Sequence, residues 1–80
     1  MIRSEHIDAL IAEVGRGIEK HGDWSDYTAS EIYRAVNEER KEVMRALNRG
    51  DLDGEHGMAN ELLQVAATAL KGHIRLRKGA

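Results

Sequence analysis

The chain has 80 residues, no cysteine and no proline, and its formal net charge is −2. A chain of this length forms one domain with a modest core, which metals, disulfide bonds or oligomerisation usually reinforce. The absence of cysteine excludes disulfides and thiolate metal sites. The near-neutral charge gives no electrostatic reason to bind nucleic acid, and no apolar run reaches the roughly 20 residues of a membrane span. We expect a cytoplasmic protein that binds neither nucleic acid nor membranes.

Three amphipathic helices are predicted, which make the single domain of residues 1–80 all-α. The first spans about residues 4–20, where apolar side chains recur at helical spacing: Ile7, Leu10, Ile11, Val14 and Ile18. Residues 21–27 are rich in turn formers and contain the only tryptophan, Trp24. Trp24 either plugs the end of a helical bundle or forms the wall of a pocket for a planar ligand.

The second and third helices are joined by a short turn at residues 51–54. Thr28 and Glu31 have the spacing of a capping box, so the second helix is predicted to begin at Thr28, and it ends near Gly50. Asp53 is expected to cap the third helix. The predicted buried face of that helix consists of Met58, Leu62, Val65, Ala66, Ala69, Leu70 and Ile74. Residues 75–80 are expected to fray.

Three glutamates interrupt the apolar faces of these two helices. Glu39 lies four residues from both Ala35 and Val43, and Glu42 follows one turn later. Glu61 holds the same kind of position on the third helix. Because burying an unpaired carboxylate is costly, such positions usually come with a cation or a cationic partner.

An antiparallel helical hairpin would bring the three glutamates together, since the turn lies close to midway between Glu39 and Glu61. Hard carboxylate oxygens suit Mg²⁺, or Mn²⁺, and the bridging of a substrate's phosphates. In the alternative interpretation the chain is a plain helical interaction protein. Its glutamates would then form interhelical ion pairs with Arg34, Lys41, Arg45 or Lys71.

Two acidic segments resemble the signature of the all-α, MazG-like nucleotide pyrophosphohydrolases. Residues 38–42, EERKE, resemble the EExxE segment of that family, whose signature is ExxE followed after a variable gap by ExxD. Residues 61–64, ELLQ, follow after an intervening stretch of 18 residues. Residues 20–24, KHGDW, also resemble the loop found before the second helix in some members. The resemblance covers roughly residues 20–70.

The resemblance implies a homodimer or homotetramer in which each hairpin contributes to a four-helix bundle. Members typically hydrolyse a nucleoside triphosphate to the monophosphate and pyrophosphate. Carried over to this chain, the Mg²⁺ ligands would be Glu39, Glu42, Glu61 and Gln64. Glu39 and Glu42 would also be the catalytic residues. The candidates for binding substrate are Lys20, Trp24, Lys41 and Lys71.

One position departs from the family pattern. Gln64 stands where the signature has its last acid, and its amide oxygen coordinates Mg²⁺ only as a neutral ligand. The site would therefore lack one negative charge. This departure motivates a second hypothesis, in which a protein of the same fold binds nucleotide or regulates a partner without catalysis.

Overall fold

The computed structural model describes residues 1–79 and is built of three α-helices. They are α1 (Ser4–His21), α2 (Ala29–Arg49) and α3 (Met58–Gly79). Residues 1–79 contain no strand, so the predicted all-α class is confirmed. Within that part of the chain, no helix combines the length and apolar character needed to cross a membrane.

The ends of α2 are set by local chemistry, as predicted. The hydroxyl of Thr28 accepts a hydrogen bond of 3.2 Å from the Glu31 amide, and the Glu31 carboxylate accepts one of 3.0 Å from the Thr28 amide. The predicted capping box is therefore confirmed. At the other end, Gly50 adopts a left-handed conformation with φ of 73°, which glycine tolerates without strain, and its amide bonds to the Leu47 carbonyl.

The bounds of α3 differ from the prediction at both ends. The helix begins at Met58, so the expectation that Asp53 caps it is wrong. Asp51 instead orders the turn, because its carboxylate accepts from the Gly54 amide at 3.0 Å and its carbonyl accepts from the Met58 amide at 2.8 Å. Residues 75–79 continue the helix rather than fraying, as their arginines and leucine are good helix formers and cations favour a helix C-terminus. Ala80 lies outside the described residues.

α3 is the central helix of the molecule. It contacts both α1 and α2, whereas within residues 1–79 no Cα of α1 lies within 8 Å of a Cα of α2. The buried side chain of Ile32, in the first turn of α2, lies against Gly72 near the end of α3. α1 and α2 therefore meet only through α3.

The buried face of α3 differs from the predicted apolar stripe. Ala67, Lys71 and Gly72 are buried, whereas Leu62 and Ile74 are 49% and 44% exposed. Small residues allow helices to approach closely, and α3 receives a neighbour on two sides. Its contacts therefore fall on small residues, and several of its larger apolar side chains face outward.

The molecule is more open than a typical monomer of its size. Its accessible surface is 5976 Å², against about 4,800 Å² expected for a monomeric protein of this mass. Its radius of gyration is 13.2 Å, against about 12 Å expected. All three helices expose large apolar side chains, among them Ile7, Ile11, Ile18, Met44, Leu47, Leu62, Ile74 and Leu76.

The close approach at Gly72 predicts that Gly72→Ala destabilises the chain. A Cβ there would lie 2.6 Å from Cγ2 of Ile32, a β-branched side chain with little rotamer freedom. Overpacking costs about 1–3 kcal/mol, which exceeds the roughly 1 kcal/mol that alanine gains over glycine in a helix. We expect the melting temperature, followed by circular dichroism, to fall by about 4–8 °C for each net kcal/mol lost.

Gly15→Ala is the matched control, because nothing lies within 4 Å of a Cβ at that position of α1. Only the helix propensity changes there, so the melting temperature should rise. A rise of equal size in both variants would contradict the packing of Ile32 against Gly72.

Candidate functional site

A groove of about 970 Å³ lies between α1 and α2, with α3 as its floor. We call it the central groove. Most of the predicted site residues line it, namely Lys20, Trp24, Glu39, Glu42, Glu61, Gln64 and Lys71. Lys41 is the exception and does not line the groove, and its ammonium bonds to the Glu38 carboxylate at 3.1 Å. The structure therefore brings seven of the eight predicted residues to one surface.

Glu39 carries the least compensated charge in the central groove. Its side chain is half-buried, and among the described residues no Lys, Arg or His nitrogen lies within 4.0 Å of its carboxylate. Burial, together with the nearby charges of Glu61, Glu42 and Glu13, raises the pKa of Glu39 above its ordinary value of 4.5. The ion-pair interpretation therefore does not describe Glu39.

Glu42 and Glu61 have different surroundings. Glu42 is half-exposed and bonds to Arg45 one turn later on the same helix, so this pair is not one of the interhelical ion pairs of the alternative interpretation. The Glu61 side chain is only 13% exposed, and Nδ1 of His56 lies 4.0 Å from its carboxylate. Of the three predicted glutamates, only Glu42 has an arginine partner.

Glu13 of α1 is a further groove carboxylate, and it was missed from the sequence. Its side chain is 10% exposed. It accepts hydrogen bonds from Arg16 and Gln64, and these bonds, that of Arg16 above all, hold the pKa of Glu13 below its ordinary value. A signal was present, because Glu13 lies three residues after Leu10 and four before Gly17 on the face of α1 that is partly buried.

Gln64 lies in the groove beside Glu13 and donates its side-chain amide to that carboxylate. It thus connects α3 to α1.

Glu13 was not predicted because Ile7, Ile11 and Ile18 form a more obvious apolar stripe on α1, and those residues are exposed in the structure.

The other end of the groove is aromatic and basic. Trp24 is 6% exposed and stacks on Tyr27 with ring centroids 5.0 Å apart, and Nζ of Lys71 lies 4.1 Å from the centre of the indole ring. Tyr27 and Lys71 therefore cover the faces of the ring on which a planar ligand would stack. This packing matches the first of the two sequence-based alternatives, in which Trp24 closes the end of a helical bundle. Burial lowers the pKa of Lys71, and the negative charge of Asp23, which raises that pKa, offsets only part of the effect.

The charge of the groove changes sign along α3. Glu61 and Lys71 are ten residues apart, which places them about 15 Å from one another along the helix. Lys20 and His21 of α1 line the groove as well and add to its basic side chains. A ligand lying along α3 would meet carboxylates at one end and an ammonium group at the other.

The donor atoms of the acidic end suit a hard divalent cation in kind. Carboxylate and amide oxygens are the ligands that Mg²⁺ takes from proteins. In residues 1–79, however, no three His, Cys, Asp or Glu side chains are gathered at the spacing that a metal requires. Glu13 and Glu42 are instead bonded to Arg16 and Arg45. The donor atoms therefore fit Mg²⁺ in type. For these two carboxylates to bind the cation, their ion pairs with Arg16 and Arg45 would have to break.

The raised pKa of Glu39 predicts that Glu39→Gln stabilises the chain at neutral pH. The folded state binds the Glu39 proton more tightly than the unfolded state, whose pKa is near 4.5. The stability that protonated Glu39 contributes is fully present below about pH 4.5. It is lost as the pH rises through the pKa that Glu39 has in the folded state. We expect the melting temperature to rise at pH 7 and to be unchanged at pH 4.

Glu38→Gln serves as the matched control, because Glu38 immediately precedes Glu39 on α2 and its side chain is 65% exposed. Its melting temperature should hardly change at either pH, since exposed ion pairs contribute little. A lower melting temperature for Glu39→Gln than for the unaltered chain at pH 7 would contradict the electrostatic strain at Glu39.

Comparisons of the chain with protein-family models, with curated proteins and with solved structures find no match. The resemblance to the MazG-like family therefore stays a prediction that rests on residues 38–42 and 61–64. What the chain does is inferred from the contacts and charges of the central groove.

Proposed function

We propose that the chain is a MazG-like, Mg²⁺-dependent pyrophosphohydrolase that converts a cytoplasmic nucleoside triphosphate to the monophosphate and pyrophosphate. The observation that carries this proposal is the state of Glu39, a half-buried carboxylate with no cationic partner within 4.0 Å in the described residues. Three further carboxylates, those of Glu61, Glu42 and Glu13, raise its pKa and line the same groove. A chain that keeps such a charge at a cost in stability usually has a functional reason for it.

Glu39, Glu42 and Glu61 are the proposed Mg²⁺ ligands, and Gln64 is a neutral one. When bound, Mg²⁺ neutralises phosphate charge and activates water for attack. The arginine pair of Glu42 is solvent-exposed, and exposed pairs of this kind contribute little, so Glu42 is readily released to a cation.

The remaining chemistry is assigned to the chain's own side chains. Glu39 is also the proposed general base, and the carboxylate oxygen that does not bind the cation would accept a proton from the attacking water. Lys71 and Lys20 line the groove and present positive charge to the phosphates. Trp24 supports Lys71 through its ring face rather than stacking on the base.

A second copy of the chain completes the proposed fold. In this proposal α2 and α3 form an antiparallel helical hairpin that pairs with its equivalent into a four-helix bundle, as a homodimer or homotetramer. The chain exposes about 1,200 Å² more surface than a monomer of its mass, and a standard interface buries about 800 Å² per partner. The exposed apolar side chains of the helices suit such an interface.

A non-catalytic nucleotide-binding or regulatory protein of the same fold is the second candidate. The contact between Gln64 and Glu13 favours it, because α3 lacks the last acid of the signature and its replacement is engaged with α1. Both candidates predict nucleotide binding, and only the first predicts turnover.

The catalytic proposal predicts pyrophosphate release from at least one of the common ribo- or deoxynucleoside triphosphates in the presence of Mg²⁺ or Mn²⁺. We expect Glu39→Gln to lower kcat by a factor of about 10²–10⁴, the usual contribution of a general base. Circular dichroism would verify that the variant is folded. Glu19→Gln is the control with activity retained, because Glu19 is exposed on α1 and is not among the residues that line the groove.

Full activity in Glu39→Gln, or no activity with any triphosphate, would reject the enzyme. In the second case, a rise in melting temperature with Mg²⁺ and nucleotide would support the binding protein, because a ligand of the folded state stabilises it without turnover. If the melting temperature does not rise with any combination of metal and nucleotide, the interpretation that remains is a plain helical interaction protein.

The oligomer predicts that the melting temperature increases with protein concentration, because association stabilises only the folded chain. Sedimentation velocity at micromolar concentration should show a dimer or tetramer. A monomer whose melting temperature is constant over a hundredfold range of concentration would contradict the proposed bundle.

A further inference from the structure

A second cavity, of about 410 Å³, lies between α1 and α3. We call it the α1–α3 pocket. Its volume falls within the range of about 300–1,000 Å³ that is usual for small-molecule sites. Among the described residues, Lys71 is the one that lines both this pocket and the central groove. The pocket is therefore separate from the glutamates of the proposed cation site.

The walls of the pocket are apolar. Val14 and Ile18 line it from α1, where they lie one turn apart, and Ile74 lines it from α3. Ile18 and Ile74 are 42% and 44% exposed, so a large part of each side chain is in contact with water. An apolar ligand group that lay between these two helices would remove that surface from water, which is favourable.

Two cationic side chains line the same pocket. Lys71 and Arg75 lie one turn apart on α3, on the face that carries Ile74. Lys71 is only 7% exposed. Neither cation takes part in any of the ion pairs found within 4.0 Å among the described residues. The pocket therefore combines apolar walls with positive charge that has no close counter-ion there.

Arg75 carries a hydrogen-bond donor that the described part of the chain leaves unsatisfied. Its Nε is buried, and no acceptor of the described residues bonds to it. Such donors are rare, because nearly all buried polar groups have a hydrogen-bond partner. A guanidinium presents Nε–H and one Nη–H side by side, which matches the two oxygens of a carboxylate. The unsatisfied donor thus belongs to the group that is best suited to hold a carboxylate.

The loop before α2 limits the charge that the pocket accepts. It contributes Asp23 and Ser25 to the lining, and the Asp23 carboxylate accepts a hydrogen bond of 3.0 Å from the Ser25 amide. The charged side chains of the lining are then Lys71, Arg75 and Asp23, two positive and one negative, which gives a formal charge of +1. This balance favours an anion with a single charge.

We propose that the α1–α3 pocket binds a small monocarboxylate that has an apolar body. The carboxylate lies against Nε and an Nη of Arg75, next to Lys71, and the apolar body lies between Ile18 and Ile74. This site goes beyond the proposed function, because its ligand needs neither Mg²⁺ nor a nucleotide. Either proposal can fail while the other stands.

The test uses octanoate as the probe, followed by two-dimensional ¹H–¹⁵N NMR of the unaltered chain without metal or nucleotide. We expect saturable shifts of amide signals that are largest around Ile18, Ile74 and Arg75. Octan-1-ol keeps the apolar body without the carboxylate, and acetate keeps the carboxylate without the body. Each should bind more weakly than octanoate, on the order of tenfold or more.

Variants of Arg75 test the carboxylate contact. Arg75→Gln should weaken octanoate binding on the order of tenfold or more and leave octan-1-ol binding unchanged. Arg75→Lys keeps the charge but lacks the two parallel donors, so its affinity should lie between those of the unaltered chain and Arg75→Gln. Arg77→Gln is the matched control with affinity retained, because Arg77 is exposed two residues later on α3 and does not line the pocket. The dispersion of the same spectra reports whether each variant is folded.

Four results would overturn the proposal. Equal affinity for octanoate and octan-1-ol would make the pocket a plain apolar surface. Octanoate binding that is as tight in Arg75→Gln as in the unaltered chain would remove Arg75 from the site. Shifts confined to the central groove, around Lys20 and Gln64, would place the anion there instead. The absence of any saturable shift would show that the pocket takes no carboxylate.

Discussion

The placement of α3 between α1 and α2 determines most of the molecule's properties. Small residues at Ala67 and Gly72 let its neighbours approach, and the cost is a core with few large side chains. Because no Cα of α1 lies within 8 Å of a Cα of α2 in the described part of the chain, the space between them remains open as the central groove. The same arrangement that creates the groove leaves the chain short of buried surface.

The acidic end of the groove has an electrostatic cost for folding. Glu39 is half-buried among carboxylates and has no arginine or lysine within 4.0 Å in the described residues, whereas Glu13 and Glu42 each have an arginine. Opposed charges are available on the same helices, so a chain selected for stability alone would be expected to pair Glu39 as well. Cation binding would remove this repulsion, and it connects the stability of the fold to the chemistry of the groove.

Features with a local cause were predictable from the sequence. The capping box at Thr28 and the left-handed Gly50 need only neighbouring residues, and three acids on two helix faces follow from spacing. Features that depend on which helices meet were not. The buried face of α3, the absence of contact between α1 and α2, and the presence of Glu13 in the groove are set by tertiary packing, which periodicity along one helix does not report.

The loop before α2 gives the molecule an internal optical reporter. Trp24 is the only tryptophan, its φ is 63°, and its ring packs between Tyr27 and the ammonium of Lys71. Indole emission depends on the polarity and charge around the ring. A ligand that draws Lys71 toward its phosphates would alter that emission without any label, whereas events confined to the outer faces of the helices would leave it unchanged.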